Sequence, residues 1–349
     1  HQKMMETTKS FHIAGIRSGI ISGLFYGLYS FVIMILQGFD PIKSAVGILA
    51  APFVMGALND LLGGCVLLLN VIRNGKFKEL GRTLATKPGK IMLLGYVLGG
   101  PVANGAYLVG LYLAGAFAIP ISATTAAFGA LFSAIFLKQK LSFRVIMGML
   151  LCVVGAVIIN LVKPDSAPNF TLGIILAIVA AICWGLEGTI SAFGGAMLDS
   201  EVTVTLRQLV SGLIQMVLIV PLIGASGLFV STVASPFLVL MLVISGTLVG
   251  FSYMEWYRSN AMIGTAIGMS LNITYAFWGV LLSILFLGQP ITTTIIVGSI
   301  VIIVGAIVVT TNPLDFFRKK HSKFIQKPLS SLPLQSAPLS YPLLLFLSK

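Results

Sequence analysis

Charge is what this 349-residue chain has least of: Asp, Glu, Lys and Arg together make up 9% of it. Soluble domains carry roughly a quarter charged residues. A chain this poor in charge and 57% hydrophobic has more apolar surface than one aqueous core can bury, which excludes an ordinary soluble protein. Histidine is nearly missing too. The three present are His1, His12 and His321, all in or near the tails. An apolar body without histidine lacks the commonest acid–base group and the commonest metal ligand. Cysteine is limited to Cys65, Cys152 and Cys183, each inside an apolar run with no CxxC spacing, so neither a zinc site nor a redox pair is expected. No GxxxxGK[ST] loop is present, which excludes ATP binding by a P-loop. Gly224-Ala225-Ser226-Gly227 looks like the serine motif of an intramembrane protease, but no membrane histidine is there to act as base. No enzymatic chemistry and no cofactor is expected.

What the sequence does have is long apolar runs. A hydrocarbon core takes about 20 residues of helix. Ten runs of that kind lie near 14–37, 43–72, 89–112, 117–137, 143–162, 170–195, 202–224, 236–260, 262–287 and 292–312. No small-residue cleavage site follows the first, so it is expected to be a span rather than a leader. The net charge of +12 could suggest nucleic acid. The basic residues, however, lie between apolar runs and not among stacking aromatics. Topology accounts for them better. With the N-terminus in the cytoplasm and ten spans, the clusters at Arg73–Lys90, Lys138–Arg144 and Arg318–Lys327 are all inside. Of the 22 Lys and Arg, only Lys43 and Lys163 fall outside. The expected topology is therefore multi-pass in the cell membrane with both termini cytoplasmic. The basic, Pro/Ser/Leu-rich tail 313–349 is expected to be disordered, its lysines free to touch anionic lipid.

The two halves match each other without gaps at a shift of 150 residues. Leu131-Phe132-Ser133-Ala134-Ile135-Phe136-Leu137-Lys138-Gln139 aligns with Leu281-Leu282-Ser283-Ile284-Leu285-Phe286-Leu287-Gly288-Gln289, and Gly148 and Val154-Gly155-Ala156 with Gly298 and Val304-Gly305-Ala306. Tyr107 falls on Tyr257. The first helix of each half matches at a shift of 158, where Tyr26-Gly27 falls on Trp184-Gly185. Five spans is an odd number, so repeats over 14–162 and 170–312 would sit inverted relative to each other. Inverted repeats are the architecture of alternating access around a central site.

Candidate working residues are the polar and aromatic groups inside spans. Gly15, Gly19, Gly23 and Gly27, spaced by four, serve either static packing or helix movement, and Pro101 and Pro120 either break helices locally, exposing carbonyls to a cavity, or form packed kinks. An ionisable group in hydrocarbon needs a reason. Asp60 lies mid-way along the second span, Glu187 just cytoplasmic of the middle of the sixth, and Glu255 three residues before Arg258 in the eighth. Glu255 and Arg258 can form an intrahelical pair. Arg207 is expected to snorkel to the cytoplasmic surface. Glu187 has no partner nearby in sequence. A carboxyl left unpaired in hydrocarbon favours its neutral form, which would suit proton coupling or recognition of a cationic group. A hydrogen bond from a neighbouring helix is the plainer alternative. Tyr26, Asn104, Tyr107, Trp184, Trp256, Tyr257, Asn272, Tyr275 and Trp278 could line an apolar pocket of the kind that holds small organic molecules.

The paired Ser-x-x-Phe-Leu-x-Gln endings, each followed by a helix carrying Gly and Val-Gly-Ala, resemble the drug/metabolite transporter superfamily and its EamA-type members. The resemblance spans roughly 14 to 312. It departs from the family at Lys138-Gln139 and Gly288-Gln289, where an acidic residue is usual. The resemblance implies an all-α ten-helix membrane fold and a cavity lined by the first, third, fourth, sixth, eighth and ninth helices. Those helices hold Glu187, Glu255 and most of the aromatics; Asp60 lies outside them. It also implies export or import of a small-molecule partner such as an amino acid or related metabolite. The expectation is a secondary active exporter, with Glu187 as the first candidate for coupling or substrate binding. The sequence leaves proton coupling and homodimerisation open. The alternatives are a membrane sensor or scaffold that retains a transporter fold, or a channel.

Overall fold

The computed structural model describes residues 2–114, 118–159, 169–288 and 290–310; the tail from 313, and Gln289 of the repeat motif, lie outside them. The described residues form helices and no strand. We number them α1 (Gln2–Leu36), α2 (Ala50–Arg73), α3 (Phe77–Ala85), α4 (Lys87–Ala114), α5 (Ala118–Ser122), α6 (Thr125–Phe136), α7 (Phe143–Ile159), α8 (Phe170–Gly195), α9 (Ser200–Leu222), α10 (Ser226–Val233), α11 (Pro236–Ile263), α12 (Thr265–Asn272), α13 (Tyr275–Leu287) and α14 (Thr293–Thr310). Eight stretches are long and apolar enough to cross a membrane, α12 and α13 counting as one, and α6 and α7 are shorter apolar helices. This is an all-α, multi-pass membrane protein.

Three boundaries differ from the sequence reading. The second helix begins at Ala50 rather than 43, because Gly47 at φ +85° bends the start of the apolar run. The basic connection after α2 is partly helical. There α3 buries little more than Thr83, while Lys76 binds Asp199 at 2.7 Å and Glu201 at 3.0 Å across the gap to α9. Hydrogen bonds that the Lys76 ammonium donates to those two carboxylates hold its pKa above the ordinary value. Finally, α11 and α12 are separated by Gly264 at φ +87°, a left-handed geometry that glycine adopts without steric cost.

Two helices break without glycine or proline at the break. Between α5 and α6, the Thr124 hydroxyl donates to the Ile121 carbonyl at 2.7 Å and the Thr124 N–H bonds the same oxygen at 3.2 Å. Between α12 and α13, Thr274 does the same to Leu271, at 2.6 Å and 3.3 Å. Both threonines sit at ψ −8°. The hydroxyl diverts a carbonyl from the helical ladder, and the tightened turn re-aims the next segment. A third irregularity is the π-helical stretch Leu98–Asn104 inside α4, which contains Pro101. Proline lacks the N–H that an α-helix requires there.

Small residues set the helix contacts. α7 and α14 pack antiparallel: a Cβ on Gly155 would lie 2.8 Å from the Gly298 carbonyl, and one on Gly305 would lie 2.8 Å from that of Gly148. The stripe on α1 is covered along its length, Gly15 by Met262 and Ile263, Gly23 by Thr274, and Gly27 by Trp278. Gly63 of α2 lies against the backbone of Gly246 on α11, with no room for even a methyl group. Overpacking such a contact costs about 1–3 kcal/mol. Gly63→Val should therefore lower the thermal midpoint in detergent by several degrees, whereas Gly227→Ala, which meets nothing, should leave it unchanged.

Candidate functional site

Two neighbouring groups of side chains fill the centre of the helix bundle. The first is ionic. Arg207, expected at the surface, has a fully buried side chain. Its Nε donates to Glu187 Oε2 at 2.7 Å and its Nη2 to Oε1 at 3.2 Å, a two-pronged pairing that fits the planar guanidinium. Glu187 is thus not unpartnered; its cation sits on the next helix, 20 residues along. Tyr257 also donates to Oε2, at 2.8 Å. Gly99 in the π-helical stretch of α4 leaves the room: a Cβ there would collide with the Glu187 carboxylate. Arg207 Nη1 donates to Gln208 Oε1, and the guanidinium carbon stands 3.4 Å from the Tyr253 ring centroid, a cation–π arrangement.

Asp60 belongs to the same network, although sequence reasoning ranked it below the cavity helices. Gln208 Nε2 donates to its Oδ1 at 3.3 Å, and Ser211 Oγ and Gln215 Nε2 donate to Oδ2, the latter at 3.0 Å. Positions 207, 211 and 215 recur at helical spacing, so one face of α9 presents the whole set. That polar spacing of four in an apolar run was the available signal, and it went unread. Glu255 takes the plainer reading: it pairs with Arg258 at 2.9 Å in a partly exposed position.

The second group is aromatic. The Tyr26 ring contacts those of Tyr29, Tyr107, Trp184, Tyr253 and Tyr275, the nearest centroid at 4.9 Å and the farthest at 6.2 Å. Asn104 accepts from Tyr26 at 3.3 Å and donates to Tyr29 at 3.4 Å. Tyr107 bonds Ser30 at 2.9 Å, and Asn272 donates to Ser22 at 3.1 Å. The Trp184 indole donates to the Tyr253 hydroxyl at 3.0 Å, joining the aromatic group to the ionic one through the ring that Arg207 covers.

Among these aromatics lies a cavity of ≈ 10 Å³ lined by Tyr26, Thr125, Trp184, Trp256, Asn272 and Tyr275, room for about one water. Two of its polar atoms, Thr125 Oγ1 and Trp256 Nε1, are buried with no hydrogen-bond partner. Of the residues anticipated from sequence, Tyr26, Trp184, Trp256, Asn272 and Tyr275 line this cavity. Asn104 and Tyr107 support it from behind. Trp278 packs over Gly27 instead. Glu187 and Asp60 stand in the ionic group beside it. Thr125 and Tyr253 were not anticipated; a single threonine or tyrosine in an apolar run carries no local mark of its orientation.

A multi-pass helical membrane protein with a buried ionic network beside an aromatic cavity defines the class. The family follows from comparison: residues 171–311 match the EamA-like transporter family. Protein LicB of Haemophilus influenzae is 27% identical over 214 residues, covering 61% of this chain and 72% of LicB. A solved crystal structure at 20% identity aligns over 86% of this chain and 96% of its own, with a TM-score of 0.65, so the overall fold is one seen by crystallography. The chain is a multi-pass membrane protein that carries an EamA-like transporter domain in its second half.

Removing one partner of a buried ion pair strands the other, at a cost of about 3–5 kcal/mol. Arg207→Met alone should lower the thermal midpoint steeply in detergent. Glu187→Gln with Arg207→Met should recover a large part of the loss. Equal losses in the single and double variants would mean that the pair is not coupled.

Proposed function

We propose that the protein is a secondary active transporter of a small organic metabolite, working by alternating access between two inverted five-helix repeats with both termini cytoplasmic. The observation that carries this reading is where the cavity lies. Its lining takes Thr125 from the break between α5 and α6 and Asn272 and Tyr275 from the break between α12 and α13. At the shift of 150, Thr125 corresponds to Tyr275 and Ser122 to Asn272, and Ser122 bonds Tyr275 across the centre at 2.5 Å. Tyr26 and Trp184, equivalent at the shift of 158, line it together. Interrupted helices meeting at a pseudo-symmetric centre are how many transporters build a substrate site.

The α7–α14 contact supports the inversion. Gly148 meets Gly305, and Gly155 meets Gly298, the exchange of equivalent residues that a two-fold axis produces. Cys152 Sγ reaches the carbonyl of Ile302, its own equivalent, at 3.8 Å. Equivalent helices that run antiparallel are inverted in a membrane. A cavity with room for about one water fits a contracted state of the cycle. Its aromatic walls suit the apolar part of a solute, and the unpaired Thr125 hydroxyl and Trp256 N–H suit a polar acceptor on it. An amino acid or related compound has both parts.

The test is metabolite profiling of medium and cytoplasm in cells overproducing the wild type, Trp256→Phe or Thr125→Val. The wild type should redistribute a compound in a direction the profile reveals. Each variant, lacking one hydrogen bond to that compound, should raise its half-saturation concentration roughly 3- to 10-fold, the effect of about 0.5–1.5 kcal/mol. If the purified wild type in liposomes moves none of the profiled compounds, the transport reading fails and a sensor or scaffold takes its place.

A further inference from the structure

The ionic network holds one more carboxyl than it holds cations. Glu187 takes Arg207 Nε and Nη2, and Nη1 goes to Gln208. Asp60 therefore meets the guanidinium only through the Gln208 amide. Its oxygens are filled by Gln208, Ser211 and Gln215, neutral donors that orient a carboxyl without cancelling its charge. Among the described residues no cation lies within ion-pair distance of it. The other titratable groups facing it are the phenols of Tyr29 from α1 and Tyr253 from α11. Glu187 of α8 is committed to Arg207, and Tyr96 of α4 faces that pair. With every carboxyl charged, a fully buried site in hydrocarbon would keep a net charge of −1, an arrangement membrane interiors disfavour.

We infer that Asp60 is a proton-binding site, taking one proton from water when the centre is open to either side and releasing it on return. The bond made is O–H on Asp60, and the bond broken is an O–H of the hydronium ion that delivers the proton, which leaves as water. A waiting acceptor is at hand: Gln215 Oε1, on the same amide that donates to Asp60, is buried without a partner. Turning that amide over presents Oε1 to the new Asp60 O–H, so the network has one hydrogen-bond arrangement for each protonation state. A physical route links it to the cavity. Arg207 covers Tyr253, whose hydroxyl accepts from Trp184, and Trp184 lines the cavity. The inference rests on the transport reading for its purpose, since a proton bound here would be the coupling ion.

Infrared difference spectra of the protein in liposomes, between mildly acidic and mildly alkaline buffer, read the proton without any solute. The wild type should show one carboxylic-acid C=O band that responds to pH near neutrality. Asp60→Asn should lose it. Asp60→Glu should keep it at a displaced frequency, which separates loss of the group from loss of the fold, and Glu255→Gln should leave it in place. A band that survives in folded Asp60→Asn overturns the assignment. So does a band abolished by sodium but not by N-methylglucamine, which would make the site a sodium site. Because no solute enters this measurement, a positive band with no metabolite moved would retain the proton site and sink the transport reading alone.

Discussion

A guanidinium buried in the middle of a helix bundle governs the arrangement around it. Arg207 cannot shed its charge, so the surrounding helices must supply a carboxylate, a neutral acceptor and an aromatic face at fixed positions. α8 supplies Glu187, α9 itself supplies Gln208, and α11 supplies the ring of Tyr253 and the hydroxyl of Tyr257. α4 contributes by having nothing there: Gly99 sits where a side chain would displace the carboxylate. α2 joins through Asp60. Five helices are thereby held in rotation and height by one side chain, to a degree that lipid-like apolar packing does not impose. Non-directional contacts leave helices free to turn about their axes, whereas a forked ion pair does not.

The cavity depends on that framework and on two threonines. Thr124 and Thr274 each take a carbonyl out of the helical ladder with a hydroxyl. In hydrocarbon a freed backbone group must find a partner at once, and the same side chain that breaks the ladder satisfies it. The break costs little and turns Thr125 and Tyr275 inward. Two of the buried polar atoms left without partners, Thr125 Oγ1 and Trp256 Nε1, border the cavity. A buried polar group without a bond is costly, and its natural remedy is a ligand.

Much of the fold was legible because solvent choice leaves a mark on composition. Scarce charge, apolar runs of the right length and basic residues gathered between them follow from one-dimensional constraints on any chain in a bilayer. Glycines at helix contacts were legible for a similar reason: Gly148, Gly155, Gly298 and Gly305 are position-specific, stand out when the halves are aligned, and meet between α7 and α14. The interruption at Thr124 was legible only in part: Pro120 stands in the short segment before it, but the threonine that makes the turn carries no mark of its own. Arg207 was misplaced because its distance from a helix end suggested snorkelling, while its partner depends on how α8 and α9 are rotated against each other.

The sequence by itself determined that this chain is an all-helical, multi-pass membrane protein, because burial in lipid restricts each residue independently of its distant neighbours. Only the tertiary structure decided which polar residues work together. Glu187 and Arg207 are 20 residues apart, Asp60 and Ser211 are 151 apart, and the pairings rest on helix rotations and close approaches measured in fractions of a helical turn. Such pairings are set by side chains meeting across three or more helices at once, and no local pattern along the chain encodes them.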